Sequence, residues 1–220
     1  MTTSSNSKSS HEGLISDLAK DLTPVQRLRP PGMRALTWLS VVVAAGIVLA
    51  AFADLPALVH RLGGARDMWL SVIGSTFTVI LAAIAAFQLS LPDARRAWAL
   101  LPLPAALLWI LASGVGCLRN WLVPGTHAAE LDEARDCLIL IVGLALPLSA
   151  LLIMMLRRAC SLQPELTALV AGLASAAAAA TLLNFFHPFD AAATDLAVHV
   201  VAVAIVIAAN WGLSGRLLAQ

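Results

Sequence analysis

Long apolar runs separated by short polar joints make up most of the chain, behind a polar N-terminal segment of about thirty residues. A bilayer core roughly 30 Å thick is crossed by about 20 helical residues rising 1.5 Å each. Six runs reach that length, at 35–53, 68–90, 97–116, 137–156, 166–184 and 195–213. The pattern predicts an all-α polytopic membrane protein, a bundle of six transmembrane helices in which each span satisfies its own backbone hydrogen bonds. Residues 1–33 then form a tail and 34–220 the transmembrane domain, with no remaining stretch long enough for a soluble domain.

The tail has a pattern of its own. Residues 1–10 are rich in Ser and Thr and are expected to be disordered. Ser9 and Glu12 stand at capping-box spacing, which predicts an amphipathic helix over about 12–23. Leu14, Ile15, Leu18 and Leu22 fall on one stripe of it, with Asp17, Lys20 and Asp21 off the stripe. Pro24 limits the helix, and Pro30-Pro31 makes a stiff joint before the first span. So short a helix is marginal alone in water, because nucleation is costly and its face has nothing to bury against. It needs a surface, which the bilayer, the bundle or the groove of a soluble partner would supply. A membrane-surface helix usually carries a basic polar face, and the mixed charges here favour the soluble partner.

Composition agrees with a membrane protein: hydrophobic residues are 60%, charged residues 12% and mean hydropathy is +0.85. The long polar tail and the lack of a small-residue cleavage site argue against a cleaved signal peptide. Charge sets the expected orientation. With both termini in the cytoplasm, the inner segments hold Lys8, Lys20, Arg27, Arg29, Arg34, Arg95, Arg96, Arg157, Arg158 and Arg216. The outer segments hold only Arg61, Arg66, Arg119 and Arg135.

Candidate chemistry gathers at the predicted outer face. Cys117 ends the third span and Cys137 opens the fourth, across a loop short enough for the two thiols to meet. They could form a disulfide or bind a soft metal ion as thiolates, or simply pack as small apolar residues. His187 and His199 could join them as metal ligands, near Asn184, Asp190 and Asp195. Against that, His187 reads as an interfacial loop residue before a proline, and His199 as an interhelical hydrogen-bonding group. Cys160 lies at the opposite face and reads as a packing thiol, while Asn210 and Trp211 read as packing and interfacial anchoring.

Enzymatic motifs are weak. Gly212-Leu-Ser-Gly215 matches the GxSG string of intramembrane rhomboid proteases, but it closes the last helix with no histidine after it. There is no Cys-x-x-Cys, no Gly-rich phosphate loop, no catalytic carboxylate pair and no nucleic-acid module. The expectation is a protein that is not an enzyme, binds no small-molecule substrate or nucleic acid directly, and carries no resident cofactor beyond a transient metal ion at the cysteine pair. A small transporter or metal-handling protein using the Cys/His/Asp cluster is the alternative. Small residues (Ala44, Ala45, Gly46, Gly172, Ala174 and Ser175 to Ala180) suit close helix packing rather than a solvated path.

The tail from Leu14 through Leu22, Pro24, Arg27 and Arg29 to Pro30-Pro31 resembles that of the NrsF-like family, the negative regulators of sigma-F. So do Gly116-Cys117 with Trp121, Asp136-Cys137-Leu138, and Phe186-His187-Pro188-Phe189-Asp190. The resemblance runs from about residue 13 to the end. It implies a six-helix anti-sigma factor of the bacterial cytoplasmic (inner) membrane, holding an extracytoplasmic-function sigma factor inactive until stress arrives. It also implies that Cys117 and Cys137 respond to metals or oxidants. The expected partners are that sigma factor, gripped through Leu14, Ile15, Leu18 and Leu22, and membrane lipid.

Overall fold

The computed structural model of the chain describes residues 4–20, 28–53, 56, 59, 66–122, 131–159, 161–183 and 193–217, without the side chains of 4–10, 66–68, 115–122, 131–134, 136–137, 193–199 and 213–217. Among them are seven α-helices, one 3-10 helix and no strand. The tail forms α1 (Ser4–Lys20). The bundle consists of α2 (Pro31–Ala50), α3 (Arg66–Leu89), α4 (Leu103–Leu122), α5 (Leu131–Leu156), α6 (Pro164–Leu183) and α7 (Ala193–Leu217), with the 3-10 helix at Arg96–Leu100 ahead of α4.

Helix starts follow from residue chemistry. Pro31 opens α2, where its missing N–H is no loss. The carbonyl of Pro30 accepts from the N–H groups of Met33 and Arg34 at 3.0 and 3.2 Å. Pro164 opens α6 in the same way, and Glu165 in its first turn suits the positive end of the helix dipole.

One expectation is corrected and another refined. The tail helix begins at Ser4, inside the segment expected to be disordered, so Ser9 lies within α1 instead of capping it. Propagation fixes one residue per bond gained, and serine is only a modestly poor helix former, so a nucleated helix extends through such a segment. The third run is not one continuous α-helix. Pro102 and Pro104 have no N–H to return to the preceding turn, and the chain enters through a 3-10 helix before α4 begins. Pro147, by contrast, sits inside an unbroken α5.

Among the described residues, five segments are long and apolar enough to cross a membrane: Pro31–Ala50, Trp69–Leu89, Arg96–Gly114, Leu138–Leu156 and Pro164–Leu183. Within α7, Val200–Gly212 is a shorter apolar stretch. The outward faces carry Leu36, Val43, Ile47, Phe77, Leu107, Leu111, Ile139 and Met154, all exposed. So much exposed apolar surface is rare on a soluble monomer and fits a membrane protein.

The centre of the bundle is α6, which packs against α3, α5 and α7. Its alanine-rich sequence explains the position. Ala174 and Ala176 to Ala179 are fully buried, and small side chains let backbones approach closely. At Gly172 an added Cβ would lie 3.0 Å from the Cα of Ile207 on α7. At Gly46 an added Cβ would lie 3.1 Å from the side-chain Cδ2 of Leu182 on α6. Among the buried polar groups, Ser75, Thr78 and Ser175 donate to carbonyls of their own helices, while others pair across helices. Ser149 on α5 donates to Asn210 Oδ1 on α7 at 2.6 Å, and Asn210 Nδ2 donates to the carbonyl of Val206 at 2.7 Å. Asn210 therefore packs, as expected, and brings its own hydrogen-bond partners.

Candidate functional site

The tail stripe is exposed. Leu14, Ile15 and Leu18 on α1 are each more than half accessible, at 59%, 64% and 62%. These three fall within one turn of each other on the helix, so the exposed apolar atoms are contiguous. Off the stripe, Lys20 Nζ lies 2.9 Å from Asp17 Oδ1. Both side chains are solvated, so this pair orients the polar face and adds little stability. Leu22, the fourth predicted contact, lies outside the described residues.

Below the stripe, exposed Leu28, Arg29 and Pro30 lead into α2, and the next charged residue is buried. Arg34 is only 7% exposed. Its guanidinium donates to Ser90 Oγ at 3.4 Å and to the carbonyl of Met155, and lies 4.9 Å from the centre of the Phe87 ring. One turn further along α2, the fully buried Trp38 donates its indole N–H to the carbonyl of Leu148 at 3.1 Å. Residues 34 and 38 share a helix face, so both hold the same neighbour, α5.

The other loops at this end are tied to one another. Ser161 Oγ donates to the carbonyl of Leu89 at 3.1 Å and shares a hydrogen bond with Thr167 Oγ1 at 3.0 Å. Gln163 Nε2 reaches the carbonyl of Ala94 at 3.2 Å. The tail-side end is thus a polar cap that joins α2, the loop after α3, the end of α5 and the start of α6. Arg95, Arg96, Arg157 and Arg158 stand exposed on it, and none of them is in an ion pair among the described residues. Between Arg95, Trp98, Leu100, Leu101 and Pro104 there is an open apolar depression.

Helix directions place the predicted sensor at the opposite end. Cys117 lies in the C-terminal part of α4 and Cys137 in the first two turns of α5. His199 and Asp195 lie in the first two turns of α7. The side chains of all four lie outside the described residues, as do Cys160, Asn184, His187 and Asp190 entirely. Among the described residues no group of three His, Cys, Asp or Glu could hold a metal ion.

Besides its place among the inner charges, Arg34 was expected, with Arg27 and Arg29, to meet lipid headgroups or an acidic partner, and its burial corrects that. The signal that could have found it is its place in the first turn of a span, four residues before Trp38. A cation there must be solvated by something, and the tryptophan marks the buried face.

Compared with known protein families, residues 18–219 match the family model described as NrsF, negative regulator of sigma F. No curated protein and no solved structure matches the chain.

Proposed function

The chain belongs to the NrsF family of negative regulators of sigma F, and from that membership we propose that it is a non-enzymatic anti-sigma factor gripping its sigma factor through the stripe on α1. The observation that carries the proposal is the exposure of Leu14, Ile15 and Leu18 on a formed helix. Around these three, the described side chains of α1 offer a partner only small, polar or charged groups.

Magnitudes say how the grip must work. Burying a Leu or Ile side chain contributes about 1.5–3 kcal/mol. Four such residues, Leu22 included, give on the order of 6–12 kcal/mol gross, which is comparable with the roughly 4–15 kcal/mol cost of association. The stripe alone binds weakly, and the exposed arginines of the polar cap supply a second contact for an acidic surface. The partner belongs to the extracytoplasmic-function class, and the bundle lies in the inner membrane with both termini cytoplasmic. That topology makes α7 a sixth span through Val200–Gly212 and puts the basic cap on the positive side of the membrane. Lipid then covers the exposed apolar faces of the bundle.

Release follows a change at Cys117 and Cys137, by oxidation or by a thiophilic metal ion, that displaces α4 and α5. Complete release requires the signal to favour the open state by about 5.5 kcal/mol, and a few kcal/mol suffices for partial release. The test is co-purification of the full chain from membranes with co-expressed sigma factor. Capture by the wild type and its loss in Leu18→Asp plus Leu22→Asp are expected. Undiminished capture by the double variant would remove the stripe from the interface.

A further inference from the structure

We infer that Arg34 is the positioning residue that couples α5, which carries Cys137 at its far end, to the proline joint of the tail. The inference rests on the sensing reading above for its biological use, but its geometry stands without it.

Met155 lies in the last turn of α5, where carbonyls have no intrahelical partner. The chain itself satisfies its neighbours: Arg157 donates its N–H to Ile153 at 2.8 Å, and Ala159 donates to Leu156 at 3.0 Å. The carbonyl of Met155 is taken instead by the Arg34 side chain. A cation suits that place, because the helix dipole is negative at its C-terminus.

No carboxylate among the described residues pairs with Arg34, and the other charge acting on it is a second cation, Arg158. Among the described residues its partners are the Met155 carbonyl, the Ser90 hydroxyl and the face of Phe87. A buried cation stripped of its acceptor is costly. If the end of α5 moves, α2 must follow or leave the guanidinium stranded. Trp38 adds a second tie from the same face of α2 to the carbonyl of Leu148. On the other side of Arg34, its own backbone N–H donates to the carbonyl of Pro30. The turn that holds α5 is thus the turn that anchors the tail, and a displacement of α5 reaches the stiff Pro30-Pro31 joint.

The experiment uses the full chain in lipid nanodiscs with Cys117→Ser and Cys160→Ser, labelled with 5-fluorotryptophan. N-ethylmaleimide alkylates the remaining Cys137, with completion checked by mass spectrometry. The fluorine resonance of Trp38, assigned by its loss in Trp38→Phe, reports the contact of α2 with α5. It should shift on alkylation in the parent and lose at least half of that shift in Arg34→Gln. No shift in the parent, or an equal shift in both proteins, overturns the coupling. Should Arg34→Gln fail to accumulate, Arg34→Lys decides by the same criterion. Its compact ammonium cannot serve Ser90, Met155 and the ring together. Sigma release by the thiol oxidant diamide is measured separately on the protein that keeps all three cysteines: a shift without that release defeats the sensing reading alone, and release without a shift defeats the coupling alone.

Discussion

Gly74→Ala is the most demanding single-methyl test of the bundle. Gly74 sits where α3 meets α4, and a Cβ built on it would lie 2.7 Å from the backbone nitrogen of Trp109 and 2.9 Å from its Cα. Ordinary contact begins at 3.4 Å, so the methyl is about 0.7 Å too close to the nitrogen. The obstruction is backbone, which cannot swing aside as a side-chain tip can. Either the helices separate along their seam, weakening the Ser71–Ser113 hydrogen bond of 2.9 Å, or α3 rotates and misplaces its buried alanines. Overpacking of this kind costs roughly 1–3 kcal/mol. Alanine's better helix propensity returns at most about 1 kcal/mol. Against Gly143→Ala, which gains the same propensity, the loss should be about 1–3 kcal/mol, at least a fivefold fall in the folded-to-unfolded ratio. Gly114→Ala and Gly143→Ala provide the contrast, since a Cβ at either position meets nothing within 4 Å. All three variants would be unfolded by SDS titration in mixed micelles. If Gly74→Ala proves as stable as Gly143→Ala, the close approach of α3 and α4 is wrong.

Three further outcomes are expected. Ser149→Ala, Asn210→Ala and the double variant should show a coupling energy of about 0.6 kcal/mol in the same titration, the usual size for interhelical hydrogen bonds in a membrane protein; strict additivity would mean that the 2.6 Å contact contributes nothing. Leu18→Asp should leave the SDS midpoint of the bundle unchanged, because Leu18 is 62% exposed, while lowering sigma capture by at least tenfold; a falling midpoint would show that the stripe packs on the bundle. Cys117→Ser and Cys137→Ser should each abolish sigma release by diamide without affecting capture, and a normal response in both would take the thiols out of the mechanism.

Some of this was legible residue by residue. The run 166–184 became Pro164–Leu183 and 68–90 became Arg66–Leu89, because hydropathy over about twenty residues is a property of the chain alone. The small residues that suggested tight packing are the ones that provide it, since Gly172 and Gly46 sit against neighbouring helices. Leu14, Ile15 and Leu18 have the spacing of one helical face, and all three lie exposed on α1 with the other side chains of residues 11–20. Ser4 was misread because a nucleated helix propagates easily, whereas the run 97–116 keeps a membrane-long segment at Arg96–Gly114 whose 3-10 entry follows from two missing proline donors.

The linear chain also carried the family, which is matched over residues 18–219, because such a likeness is read from residues in order and needs no fold. Partnership between distant positions was different. Nothing in one dimension pairs Arg34 with Met155, Trp38 with Leu148, or Ser149 with Asn210. Periodicity says which face of a helix is apolar, but not which neighbour meets that face or at what depth. Those choices were made by packing around α6, whose small side chains bring the other helices close enough for buried polar groups to find acceptors across chain separations of 61 to 121 residues.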